Sequence, residues 1–240
     1  MEKLVKIKVA KDVYLYGKLK GDFAKPLFVI VHGLTGDMEE KLIHDAVNFF
    51  ADNGFATFRL NLYDWRPKAR QFIDCDLKTS GFDVDQTVRY FRKLGFQKVF
   101  IVGHSFGGPV IFSSKDQNFD AVALWDPSYK FMFNKKIGKY IKELDGYIMP
   151  WGLTTVFSKK LIDETNNLKW DFLAKNFKCP ILVAVAGNGT LVKKAFNYYK
   201  FNLNQKKFKI IPKATHLFND SDVVQNSLFK NTLVWFKSFL

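Results

Sequence analysis

The stretch Val99-Phe100-Ile101-Val102-Gly103-His104-Ser105-Phe106-Gly107 decides how this chain is read. Four consecutive apolar residues predict a short buried strand. The G-x-S-x-G pattern that follows predicts a sharp turn, and the segment beyond it, to about Lys115, fits a helix. A turn this tight holds its central residue in a strained backbone conformation, and side chains at the flanking glycines would clash. The result is a serine hydroxyl held at the carboxyl edge of a sheet, with the amide dipoles of the next helix behind it. Five residues with two glycines recur by chance, so the strand before and the helix after carry the weight.

The same rhythm extends outward. Strands are predicted at 3–10 and 12–20, and the apolar run Pro26 to His32 reads as a strand buried on both faces. Helical spacing covers Glu39 to Asn53, Gly54 stops it, and Phe55 to Leu60 is the next strand. A polar loop with Tyr63, Trp65, Arg66 and Arg70 leads to a helix predicted over Asp83 to Leu94. Further strands are expected at Phe119 to Trp125, at 180–186 and at 206–211, before a final amphipathic helix running to Leu240. Such alternation means an α/β fold with a mostly parallel sheet and helices on both faces. Right-handed crossovers place all the strand carboxyl ends on one edge, where ligands of open α/β sheets bind.

One segment breaks the rhythm. The stretch of about fifty residues between Asp126 and Cys179 is too long for a plain connection. It holds the apolar clusters Tyr129 to Phe133 and Tyr147 to Trp151, and is expected to form a small helical cap insertion, about 127–175, over the active edge.

A length of 240 residues suits one domain of this class. The net charge of +14 comes from lysines spread along the whole chain, with no arginine cluster or basic tail, so no nucleic-acid partner is expected. No apolar run is long enough to span a bilayer, and the alternating N-terminus reads as a strand, not a signal peptide. Cys75 and Cys179 lie far apart without ligand spacing, as expected of structural free thiols in a reducing, cytoplasmic setting. No metal or organic cofactor is expected, because no cysteine–histidine cluster has ligand spacing.

A serine nucleophile needs a base, a group that orients the base, and donors for the oxyanion. Of the four histidines, His104 lies inside the turn, His44 on a predicted helix, and His32 at a strand end where its backbone matters more than its ring. His216, in the loop Pro212 to Phe218 between the last strand and the last helix, is the expected base. The oxyanion amides are expected from Phe106, which follows the serine, and from Leu34 in the loop His32-Gly33-Leu34-Thr35-Gly36.

With these motifs in place, the chain resembles the α/β-hydrolase family over essentially its full length. It is most similar to small esterases of the cinnamoyl/feruloyl type, to monoacylglycerol-lipase-like enzymes and to serine aminopeptidase-like hydrolases. The resemblance implies an eight-stranded sheet and a Ser-acid-His triad in that order. It departs from the family in one place: the turn that usually carries the acid reads Gly187-Asn188-Gly189-Thr190, with threonine in the acid's slot. Asp126, ending a strand in Trp125-Asp126-Pro127-Ser128, is the expected replacement, since its strand lies one spacing, about 5 Å, from each neighbour. The competing reading makes Asp126 a turn residue, because Asp-Pro-Ser is a strong turn signal. Asn188 is a weaker, neutral orienter, and Asp220 and Asp222 are expected to cap the last helix.

The resulting expectation is a serine esterase that cleaves a small-molecule ester through Ser105, His216 and Asp126. Phe131, Met132 and Trp151 are expected to line an apolar pocket for a medium acyl or aromatic acyl group. Thioester or peptide hydrolysis on the same triad is one alternative. A catalytically silent binding protein is the other, motivated by Thr190.

Overall fold

The computed structural model describes residues 2–151 and 155–240. The chain begins with β1 (Glu2–Ala10), β2 (Val13–Lys20), β3 (Leu27–Val31), α1 (Lys41–Asp52) and β4 (Ala56–Asn61). It continues through α2 (Leu77–Lys93), β5 (Val99–His104), α3 (Gly107–Phe112) and β6 (Ala121–Trp125). An insertion follows, with β7 (Lys139–Ile141), β8 (Gly146–Ile148), β9 (Val156–Ser158), α4 (Lys159–Asn167) and α5 (Trp170–Asn176). The chain then completes β10 (Ile181–Ala186), α6 (Val192–Phe201), β11 (Lys206–Ile211) and α7 (Asp222–Lys237).

Eight strands form one sheet in the order β1-β2-β4-β3-β5-β6-β10-β11. The β1–β2 and β2–β4 pairs are antiparallel and the remaining pairs are parallel. The central strands are buried on both faces, which is why they read as continuous apolar runs. Successive residues serve opposite layers. Phe28, Ile30, Phe100, Val102 and Trp125 pack with residues of α1 and α7, while Val29, Val31, Ile101 and Leu124 pack with residues of α2 and α3. Trp125 is fully buried and donates its indole N–H to Thr232 Oγ1 at 2.9 Å, fixing β6 to α7.

The structure departs from the sequence reading in three elements. Helix α2 starts at Leu77, six residues before the expected Asp83, because Asp76 is its N-cap and accepts the Thr79 N–H at 2.6 Å. Helix α6 was not anticipated; it begins without a side-chain cap, so it lacks the usual start signal. The insertion is not simply helical. Its β7, β8 and β9 form a three-stranded antiparallel sheet, each strand only three residues long, beside the two helices. Residues 152–154, within the segment expected to form a cap, lie outside the described residues. The insertion is fastened to α2 and the segment before it. Ser158 Oγ donates to the Cys75 carbonyl at 3.3 Å, and Lys160 pairs with Asp76.

Candidate active site

Ser105 leaves β5 with φ +53°, a left-handed conformation that a non-glycine residue adopts only at a cost. Its N–H donates to Trp125 O at 2.9 Å, and its carbonyl accepts from Ser128 N at 3.0 Å and Gly108 N at 3.1 Å. These bonds over-determine the turn. The glycines are sterically required: a Cβ at Gly103 would stand 2.6 Å from the Gly107 backbone, and one at Gly107 would stand 2.6 Å from Val31 O.

The structure brings Ser105, His216 and Asp126 into one hydrogen-bonded row. His216 Nε2 lies 2.9 Å from Ser105 Oγ, and His216 Nδ1 lies 2.6 Å from Asp126 Oδ2. An ionised carboxylate can only accept, so the ring proton sits on Nδ1 and leaves the Nε2 lone pair for the serine hydroxyl. Asp126 is fully buried where β6 ends between β5 and β10. Its N–H donates to Ala184 O at 2.7 Å, and its Oδ1 accepts from Ala186 N at 3.2 Å. Its φ of +42° turns the carboxylate out of the strand line, a conformation aspartate tolerates better than most residues.

The His216 loop is held from both sides. Asn188 N–H donates to Ala214 O at 2.9 Å, and Asp220 Oδ2 accepts from Thr215 N at 2.8 Å. Asp220 therefore pins the loop and does not cap α7; Ser221 is the cap, accepting the Val224 N–H, and Asp222 occupies the first turn. Thr190 is exposed. Asn188 takes part through its backbone, not as a side-chain orienter of the imidazole.

The loop after β3 runs against the serine. Gly33 passes so close that a Cβ there would stand 3.2 Å from Ser105 Cβ. His32 proves more than a backbone residue: its Nδ1 bonds to Gly33 O at 2.8 Å while its Nε2 accepts Leu62 N–H at 3.1 Å. Tyr63 donates its hydroxyl to Gly36 O at 2.8 Å and packs edge-on against the His32 ring. The end of β4 thus clamps this loop. Among the described residues, the backbone N–H groups of Leu34 and Phe106 have no protein acceptor. Burial depresses both His32 and His104 to about 4, so both rings are neutral at pH 7. Both cysteines are buried and unpaired, and burial raises both thiols far above the usual range, Cys179 to about 12.

A series of aromatic contacts starts at Phe106, the residue after Ser105. Phe106 contacts Phe131 at 6.2 Å between centroids, Phe131 contacts Trp151 at 6.1 Å, and Trp151 contacts Phe157 at 5.1 Å. The series returns through Phe72 (5.2 Å) and Tyr63 (4.8 Å) to His32 (5.1 Å). Met132 does not join it. It is 67% exposed and faces a different groove with Lys130, Leu168 and Phe172. Residues 129–134 alternate, with Tyr129, Phe131 and Phe133 turned inward and Lys130, Met132 and Asn134 outward. Sequence reasoning missed Tyr63, Phe72 and Phe157 as members of this series because they come from segments distant in sequence. Phe133, whose ring lies 4.9 Å from Phe131 and 5.4 Å from Trp151, could have been found from that alternation.

The fold is the α/β-hydrolase fold, and this site sits at the carboxyl edge of its sheet. Solved structures similar over nearly the whole chain include an α/β hydrolase, GrgF, from Penicillium sp. sh18, with TM-score 0.82 and 13% identity over 100% of this chain and 99% of that one. Est1E from Butyrivibrio proteoclasticus, solved with ferulic acid bound, matches with TM-score 0.76 and 17% identity over 95% and 98% of the two chains. A dienelactone hydrolase from Anabaena variabilis matches with TM-score 0.72 and 16% identity over 100% and 98%. No protein-family model matches the chain. No curated protein matches it in sequence. Among the described residues no helix is long and apolar enough to cross a membrane.

Proposed function

We propose that this protein is a serine carboxylesterase working through Ser105, His216 and Asp126. The observation that carries the reading is the hydrogen-bonded row from Ser105 Oγ to a buried carboxylate. Ser105 Oγ attacks the ester carbonyl as His216 Nε2 takes its proton. Asp126 stabilises the imidazolium by charge. The developing oxyanion accepts hydrogen bonds from the Leu34 and Phe106 amides, an interaction in which each donor contributes about 10²–10³ in turnover. Collapse of the intermediate passes the proton from His216 to the departing alcohol. Water, deprotonated by the same imidazole, then attacks the acyl-enzyme and returns the acid and free serine.

The substrate class is an ester whose acyl group is aromatic or of medium length. The series of aromatic contacts that starts beside Ser105 favours an aromatic acyl group, because an added ring can pack edge-on or offset against Phe131 and Trp151 beyond what its buried area alone supplies. The ferulic acid held by Est1E supports the same class. The binding-only alternative took its force from Thr190, and the contact of Asp126 with His216 weighs against it.

Steady-state hydrolysis of methyl ferulate, a p-nitrophenyl butyrate, a matched thioester and an aminoacyl amide tests this reading. Oxygen esters should be turned over fastest, with activity abolished in Ser105→Ala. Faster turnover of the thioester or amide would move the assignment to another reaction, and equal rates in Ser105→Ala would remove the serine from it.

A further inference from the structure

His104 lies in the turn beside Ser105, and the mechanism above gives it no role. It is 2% exposed. Its Nε2 lies 2.9 Å from the backbone carbonyl of His216, and its ring lies against the His216 ring with centroids 4.9 Å apart. A carbonyl can only accept, so Nε2 carries the proton and Nδ1 the lone pair. Among the described residues Nδ1 has no hydrogen-bond partner, and it sits beside Gly33, where a Cβ would be 3.6 Å away. The ring is thus wedged between the oxyanion loop and the loop carrying the base.

We infer that His104 is a positioning residue for the general base: a neutral imidazole whose N–H holds the His216 backbone in register with Ser105. The inference rests on the serine-hydrolase reading for its kinetic consequence, but not for its geometry. His216 stands in a loop, not on a strand or helix, and its neighbours Lys213 and Phe218 have φ of +62° and +50°. Such a loop needs tethers to keep Nε2 at hydrogen-bond distance while the ring gains and loses a proton. Asn188 and Asp220 tether its flanks. His104 tethers residue 216 itself, from below and from the element that carries the nucleophile. A positioning error of about 1 Å at a reacting group can lower turnover on the order of 10²-fold.

The tether must also stay uncharged. The titratable groups facing His104 are His216, Asp126 and His32. A cation at His104 would repel the imidazolium that forms 4.9 Å away in the transition state. Burial keeps the ring neutral across the range in which such an enzyme works. A neutral amide donor of similar reach would therefore serve, whereas an apolar isostere would not.

The test compares His104→Leu with His104→Gln. His104→Leu should lower kcat by about 10²-fold with KM changed less than threefold. His104→Gln, which restores a neutral donor, should recover most of that loss. In parallel, proton NMR of the resting protein should show the downfield His216 Nδ1 proton bonded to Asp126 as a sharp line in wild type and His104→Gln. In His104→Leu that line should be broadened or shifted. This second readout needs no substrate, so it tests the tether even if the protein hydrolyses none of the esters offered. Failure of the esterase reading would appear as an inactive wild type with an intact downfield line. Equal kcat in wild type and folded His104→Leu, or an unchanged downfield line in that variant, would overturn the inference. Equal losses in both variants with unchanged lines would reduce His104 to packing.

Discussion

Replacing Asp126 by Asn changes one atom and leaves the shape of the site intact. Asp126 spends one oxygen on Ala186 N–H at 3.2 Å and the other on His216 Nδ1 at 2.6 Å, in a fully buried position. Asparagine has one acceptor and one donor for these two places. If its carbonyl keeps the Ala186 N–H, its NH₂ group faces Nδ1 and forces the ring proton onto Nε2. Nε2 then donates to Ser105 Oγ and cannot accept the serine proton. If the amide flips, two N–H donors oppose each other at Ala186 in a buried site, which costs about 1–3 kcal/mol. Either arrangement also removes the charge that stabilises imidazolium. The expected loss in kcat is on the order of 10⁴, about 5 kcal/mol of transition-state stabilisation. KM and the circular dichroism spectrum should change little. The assay is kcat and kcat/KM on the best oxygen ester at several pH values. Activity within tenfold of wild type would refute the reasoning and remove Asp126 from the mechanism.

Other consequences follow from the same geometry. His32 and His104 titrate near 6.5 when unfolded and near 4 when folded, so each contributes stability that is complete above 6.5 and is lost as pH falls towards 4. The loss is about 3 kcal/mol per ring at most, and urea titrations from pH 7.5 to 4 should show it, with a shallower dependence in His104→Gln. Phe131→Ala should lower kcat/KM for an aromatic ester about tenfold, equivalent to ~1.4 kcal/mol of ring contact, while Met132→Ala should leave it within twofold; the reverse ranking would place the substrate in the other groove. Thr190→Asp in the Asp126→Asn background should recover less than tenfold of the lost rate, because position 190 is exposed; full recovery would make it the working acid site.

The sequence carried the strand–turn–helix around Ser105 because its glycines have no substitute at those contacts, and it carried the central strands because double burial leaves unbroken apolar runs. Asp126 was reachable only through topology: no local pattern separates it from an ordinary turn aspartate, and adjacency of β6 to β5 and β10 decides its contacts. The sheet of the insertion was not legible, since strands such as Lys139–Ile141 and Gly146–Ile148 are too short to show a period of two. The sequence places His32 at a strand end and His104 inside the turn, but shows neither ring's partners. Their ring contacts, to Leu62 N–H and to His216 O, depend on segments 30 and 112 positions away.

The reactivity of Ser105 is measured most directly by treating the folded protein with a fluorophosphonate and locating the adduct by mass spectrometry. One adduct per chain, on Ser105, formed rapidly in wild type and far more slowly in Asp126→Asn, is the expected result. A folded wild-type protein that takes no label, or takes it at another residue, would contradict it.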